Sequence, residues 1–177
     1  MIHSLAVIAL LAAPVATPAP KCITKRQVAD AAMVLTPYWV EAVTQQCRKH
    51  VPANSFLATK GDALHARLRA ESAGREASAG EVILLIMGGD APPVKETEAL
   101  VKVMGSMMSA MAASKIPVES CTEVSGVMEA FSPLPAENIG LLAVSAVTLM
   151  ERGKGAGAGA GGKPANSLGK FEICKGD

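Results

Sequence analysis

The chain has 177 residues, with 17 Lys and Arg against 16 Asp and Glu for a net charge of +1. That balance carries no basic stripe for a phosphate backbone, and aromatics at 3% offer little to stack on bases, so nucleic acid is excluded as a partner. Half of the residues are hydrophobic, drawn from Ala, Val, Leu and Met rather than aromatics, which favours helices over pleated sheets.

The first residues read as a signal peptide over 1–19. A short apolar run, Leu5 to Ala13, is followed by the small and proline-rich stretch Pro14-Val15-Ala16-Thr17-Pro18-Ala19, with cleavage expected at about 16–19. The run is too short to span a bilayer, and no other segment calls for a transmembrane span in the mature chain. The expected location is periplasmic or secreted. There Cys22, Cys47, Cys121 and Cys174 meet an oxidising environment, and an even number of thiols is read as two disulfides.

The predicted elements begin with a helix from Thr24 to Cys47. Thr24 and Gln27 have the spacing of a capping box, and Val28, Ala32, Leu35, Trp39, Val43 and Cys47 recur as one apolar stripe. Pro37 lies inside the stripe without changing its phase, which predicts a kinked helix or two coaxial pieces. A second helix follows the turn at Pro52 and runs to Ser72 through Leu57, Leu64 and Leu68. The apolar run Glu81 to Met87 has no second strand to pair with and is read as helical. A helix over 95–114 presents the stripe Leu100, Met104, Met107 and Met111. Ser120 and Glu123 repeat the capping-box spacing ahead of a helix whose inner face is Val124, Val127, Met128 and Phe131. The helix from Pro135 to Arg152 is apolar on nearly every side (Ile139, Leu141, Leu142, Val144, Val147, Leu149), which marks it as the most buried of the bundle. Residues 153–164 alternate Gly and Ala as a flexible linker, and 165–177 form a tail carrying Cys174.

Several local matches to chemical motifs fail on their surroundings. Gly157 to Lys163 approaches a phosphate-binding loop, but Pro164 replaces the magnesium-ligating hydroxyl and no strand precedes it. Ser167-Leu168-Gly169-Lys170 matches the S-x-x-K of acyl-serine enzymes without the partner motifs that chemistry needs. His50 and His65 have no ligand spacing around them, so no metal site, cofactor site or catalytic set is assigned. The methionines at 104, 107, 108 and 111 share one helical face. Soft thioethers select Cu(I), but Met also fills cores short of aromatics, and the core is the expectation here.

Geometry ranks the three possible disulfide pairings. A helix of twenty-five residues rises roughly 37 Å, whereas bridged Cα atoms lie within ~7 Å, so Cys22 and Cys47 cannot pair across one helix. Cys47 ends one helix and Cys121 opens another, which pairs them and leaves Cys22 for Cys174, strapping the tail to the body. The expected fold is therefore all-α: a single-domain bundle of five or six helices over 20–152, built around a buried helix near 135–152 and stapled by Cys47–Cys121 and Cys22–Cys174. The expected role is a non-enzymatic binding or interaction protein of the cell envelope, with an unknown protein or small ligand as partner and no cofactor. The alternatives are an envelope copper(I)-binding protein using the methionine face, and a small secreted hydrolase whose site is assembled from distant residues.

Overall fold

Thr24 opens the first helix by reciprocal capping: its hydroxyl accepts from the Gln27 N–H at 3.1 Å, and its own N–H donates to Gln27 Oε1 at 2.9 Å. From that cap α1 (Lys25–Cys47) runs 23 residues without a break. Pro37 is buried within it, and the Thr36 hydroxyl donates to the Ala32 carbonyl at 2.6 Å in the turn just before. In this computed structural model, residues 22–87, 94–156 and 172–174 are described. The signal segment over 1–19, most of the linker and tail, and the matches at Gly157–Lys163 and Ser167–Lys170 lie outside them.

Beyond α1 the chain forms α2 (Phe56–Thr59), α3 (Gly61–Glu71), α4 (Glu76–Met87) and α5 (Val94–Ala113), then a 3-10 turn, α6 (Cys121–Phe131) and α7 (Ala136–Ala156). The fold is all-α with two disulfides, as composition and periodicity predict, with seven α-helices among the described residues. The helix expected to follow the Pro52 turn as far as Ser72 is divided at Lys60, where the backbone leaves the helical region. Gly61 restarts it against α1, so close that a Cβ there would stand 2.7 Å from Thr44 Cγ2. The capping box expected at Ser120 and Glu123 does not form. The turn Val118–Ser120 runs directly into α6, and the Cys121 N–H is already satisfied by the Val118 carbonyl. Helix α7 continues past Gly153 to Ala156.

The centre of the bundle is α1, not the helix near 135–152. Helices α3, α4, α5 and α7 all pack on α1, and it contributes to both hydrophobic clusters. One cluster joins Val40 and Val43 to Leu57, Leu64, Leu68 and Met128; the other joins Val34 and Tyr38 to Ala79, Val82, Ile83 and Val101. Each fully buried Leu or Val in them stabilises the fold by about 1.5–3 kcal/mol relative to exposure. Between Ala136 and Met150, the fully buried positions of α7 are small, with Ile139 half-buried against the core. Ala136 and Gly140 face α1, and a Cβ at Gly140 would lie 3.0 Å from the Ala29 carbonyl oxygen. Four of its larger side chains point away, Leu141, Leu142, Leu149 and Met150, with Leu141 61% and Leu149 65% exposed.

Helix α5 behaves in the same way. From Thr97 onward its buried positions are Thr97, Val101, Gly105, Ser109 and Ala113, each four residues apart. Tyr38 lies against the Gly105 backbone, where a Cβ would come within 2.9 Å of the ring. The expected methionine core is therefore overturned: Met107, Met108 and Met111 are 49%, 47% and 54% exposed, and only Met104 is half-buried. Small residues let the helices approach closely, and the long side chains on the next stripe are turned outward.

Both disulfides have the pairing expected from helix length. Cys47–Cys121 joins the end of α1 to the start of α6, and Cys22–Cys174 joins β1 (Cys22–Ile23) to the residue after β2 (Glu172–Ile173), the two strands forming a two-residue parallel pair. The Cys174 N–H donates to the Ile23 carbonyl at 3.0 Å, so the strap is held by backbone as well as by sulfur. Cys47 and Cys121 are fully buried, whereas Cys22 and Cys174 are half-buried. Thiol–disulfide exchange needs access to sulfur. Graded reduction with a mild phosphine, followed by alkylation and peptide mapping, should label Cys22 and Cys174 before Cys47 and Cys121. Simultaneous labelling of all four would contradict the difference in burial.

Candidate functional site

The stripe of α1 that periodicity assigns to the core is the one its neighbours leave partly uncovered. Val28, Ala32 and Leu35 are only half-buried and Trp39 is 37% exposed, while Val43 and Cys47 further along are fully covered. Two adjoining cavities follow from this gap. One, of about 300 Å³, lies between α1 and α5, with Ala32, Leu35, Thr36 and Trp39 facing Met108, Ser109 and Ala112. The other, of about 220 Å³, is reached from the same Thr36 and Trp39 and extends to Leu64 and Leu68 of α3, Val127 and Phe131 of α6, and Ile139 of α7. Trp39 and Thr36 are the shared wall.

No charged side chain lines either cavity. Thr36, one of two hydroxyl-bearing residues there, already donates its hydrogen to the Ala32 carbonyl. The chemistry on offer is apolar contact and aromatic surface. Val127 and Phe131, expected on the inner face of α6, stand half in solvent at 50% and 42% and form the outer rim. The buried positions of that helix are Cys121, Ser125 and Met128, with the Ser125 hydroxyl accepting from the Leu57 N–H at 3.2 Å.

A polar clamp from α3 holds the α6–α7 turn, and with it one wall of the groove. Arg67 donates to the Ser132 and Leu134 carbonyls at 2.7 and 3.1 Å and pairs with Glu71 at 2.7 Å. The Glu71 carboxylate accepts from the Ala136 N–H at 2.7 Å, at the start of α7, where an anion also meets the positive end of the helix. That backbone hydrogen bond is the main reason its carboxyl titrates below the ordinary glutamate range, with the Arg67 hydrogen bond and charge adding to it against partial desolvation. A second ion pair, Arg75 with the buried Asp30 at 2.8 Å, ties the α3–α4 turn to α1, and Arg75 reaches Glu137 of α7 at 3.3 Å.

Among the other described residues, Arg48 pairs with Asp62 at 2.5 Å on the surface. His50 is exposed, and the His65 Nε2 lies 3.8 Å from Glu41 Oε2, beyond hydrogen-bond reach. Among the described residues no group of three or more His, Cys, Asp or Glu is placed to hold a metal ion. No single helix among them is long and apolar enough to cross a membrane; Val118–Phe131 and Ala136–Met150 reach that length only as a pair bent by 113°. Sequence reasoning found Trp39, Val127 and Phe131 as apolar stripe positions but not the groove they share, whose walls come from five helices. Comparison of the chain with protein-family models, with curated proteins and with solved structures finds no match to any of them.

The clamp makes a pH-dependent contribution with a defined sign. Because Glu71 titrates lower when folded, its contribution is complete above the ordinary glutamate range and lost as pH falls through the lower folded value. Glu71→Gln keeps the size and an oxygen that can accept from Ala136 but removes the charge, so it should destabilise the fold at pH 7 by roughly 0.5–1 kcal/mol, the worth of an anion at a partly exposed helix N-terminus. Denaturant melts of both proteins should converge in acid; an equal difference at pH 7 and pH 3 would assign the loss to packing instead.

Proposed function

We propose that this chain is an exported, non-enzymatic binding protein of the periplasm or extracellular space. It takes the alkyl portion of a small amphiphile into the groove beside Trp39. The observation that carries the reading is the pair of cavities meeting at one half-exposed tryptophan with no charge in their walls. Water in such a groove finds few hydrogen-bonding partners, so displacing it with hydrocarbon is favourable. The larger cavity sits at the lower end of small-molecule sites, which run to about 300–1,000 Å³, and a chain lying through both would exceed that bound. Ligand recognition here rests on shape and apolarity, and a polar headgroup would remain in solvent. Two closed disulfides in a chain with no free cysteine among the described residues support an oxidising compartment.

N-terminal sequencing of protein from its native host should begin between Thr17 and Lys21, and recovery of intact Met1 from the cytoplasm would remove the export half of the proposal. Trp39 is the chain's one tryptophan, so its emission reports the groove directly. Titration with lauric acid and with lauryl alcohol, each below its aggregation limit, should give a saturable blue shift. Val127→Asp places a charge on the half-exposed rim and should weaken binding about tenfold or more, equivalent to ~1.4 kcal/mol, with the fold intact by circular dichroism. An unsaturable response, or equal affinity in the variant, would sink the groove reading.

A further inference from the structure

The outward turn of α5 leaves four of the chain's nine methionines within eight residues of one helix, three of them about half exposed. Met104, Met107, Met108 and Met111 are related by three- and four-residue steps, which puts their Cβ atoms about 5–6 Å apart along one face. Each side chain has three rotatable bonds ending in a polarisable thioether, so several sulfurs on such a face can converge on one ion without moving the backbone. From Val103 to Ser114 the sequence has no charged residue and no histidine. Hard cations therefore find no oxygen anions there, while thioethers suit a soft monovalent one.

We propose that the α5 methionine face is a Cu(I)-binding site, with Met107 and Met111 as ligands completed by Met108 or Met104. The site is separate from the alkyl groove, which it borders only at Met108. The inference is carried by exposure: buried methionines of this chain, such as Met33 and Met128, fill the core, whereas the Met107, Met108 and Met111 side chains are about half exposed to solution. Binding is coordination by sulfur lone pairs, so no bond breaks, no proton is released and the disulfides stay closed. Because thioethers do not titrate, affinity is flat across the range in which an imidazole site would lose Cu(I) to protonation.

The test uses the full mature chain under anaerobic conditions, with Cu(I) supplied as its acetonitrile complex and no thiol reductant. Free-thiol assay verifies that both disulfides remain intact, and competition with a chromogenic Cu(I) chelator reads affinity. We expect one Cu(I) per chain, with the same affinity at pH 5.5 and 7.5. Met107→Leu combined with Met111→Leu preserves volume and apolarity, so the fold is kept. That variant should lose Cu(I) affinity about tenfold or more while its Trp39 response to lauryl alcohol is unchanged, and Met33→Leu should leave Cu(I) affinity as it was. No stoichiometric binding, an affinity that falls with acid, or an affinity indifferent to the double substitution would overturn the proposal. Loss of the lauryl alcohol response alone bears on the groove and leaves the metal site standing.

Discussion

Close approach between helices is the constraint on which the rest of this structure depends. Gly105 meets the Tyr38 ring, Gly140 meets the Ala29 backbone, and Gly61 meets Thr44, so three helices reach α1 at positions where a Cβ would collide. At Gly80, between α4 and α5, an added Cβ would stand only 1.8 Å from Thr97 Cγ2. Packing of that kind gains dispersion contacts along whole backbones, which compensates for a core with few aromatics. It also dictates orientation. A helix that docks through a stripe of small residues has to carry its Leu and Met side chains elsewhere.

That geometry makes α1 the element every other part is measured against. One side of it faces α4 and α5, another faces α3 and α7, and the two hydrophobic clusters lie to either side of its backbone. Polar links reinforce the arrangement at its edges: Arg75 with Asp30 at one end, and the Arg67–Glu71 clamp on the α6–α7 turn. The buried Cys47–Cys121 bridge, with a sequence separation of 74, fixes the far end of α1 to α6. In the chain-entropy view a loop of that size restricts the unfolded state by about 4 kcal/mol.

The same packing opens the groove and exposes the methionines, so both proposed sites share one structural cause. Where α5 is held by Gly105 and Ser109 and α7 by Ala136 and Gly140, the large side chains they bring to the Ala32–Trp39 face, Met108 and Ile139, line it without filling it. Contiguous apolar surface left open on a small domain is unusual enough to point to contact with something else. The unpartnered outer face of α7, with Leu141, Leu142, Leu149 and Met150 exposed, belongs to the same pattern.

Local rules were sufficient for much of the fold. The Thr24–Gln27 capping box, the start and end of α1, the helical state of Glu81–Met87 and both disulfide pairings follow from spacing, propensity and the length of a helix. Those properties depend on neighbours in sequence or on reach along one element. Which face of each helix is buried was decided only in three dimensions. Periodicity marks the most apolar stripe and assigns it inward, so it placed Met107 and Met111 in the core, Leu141 at the centre of the bundle and Trp39 beneath its neighbours. The folded chain buried Gly105, Ser109 and Gly140 instead. For helices this short of bulky aromatics, the distance at which two backbones can meet outweighs the hydrophobicity of the side chains between them, and that distance is a property of pairs of helices that no single segment contains.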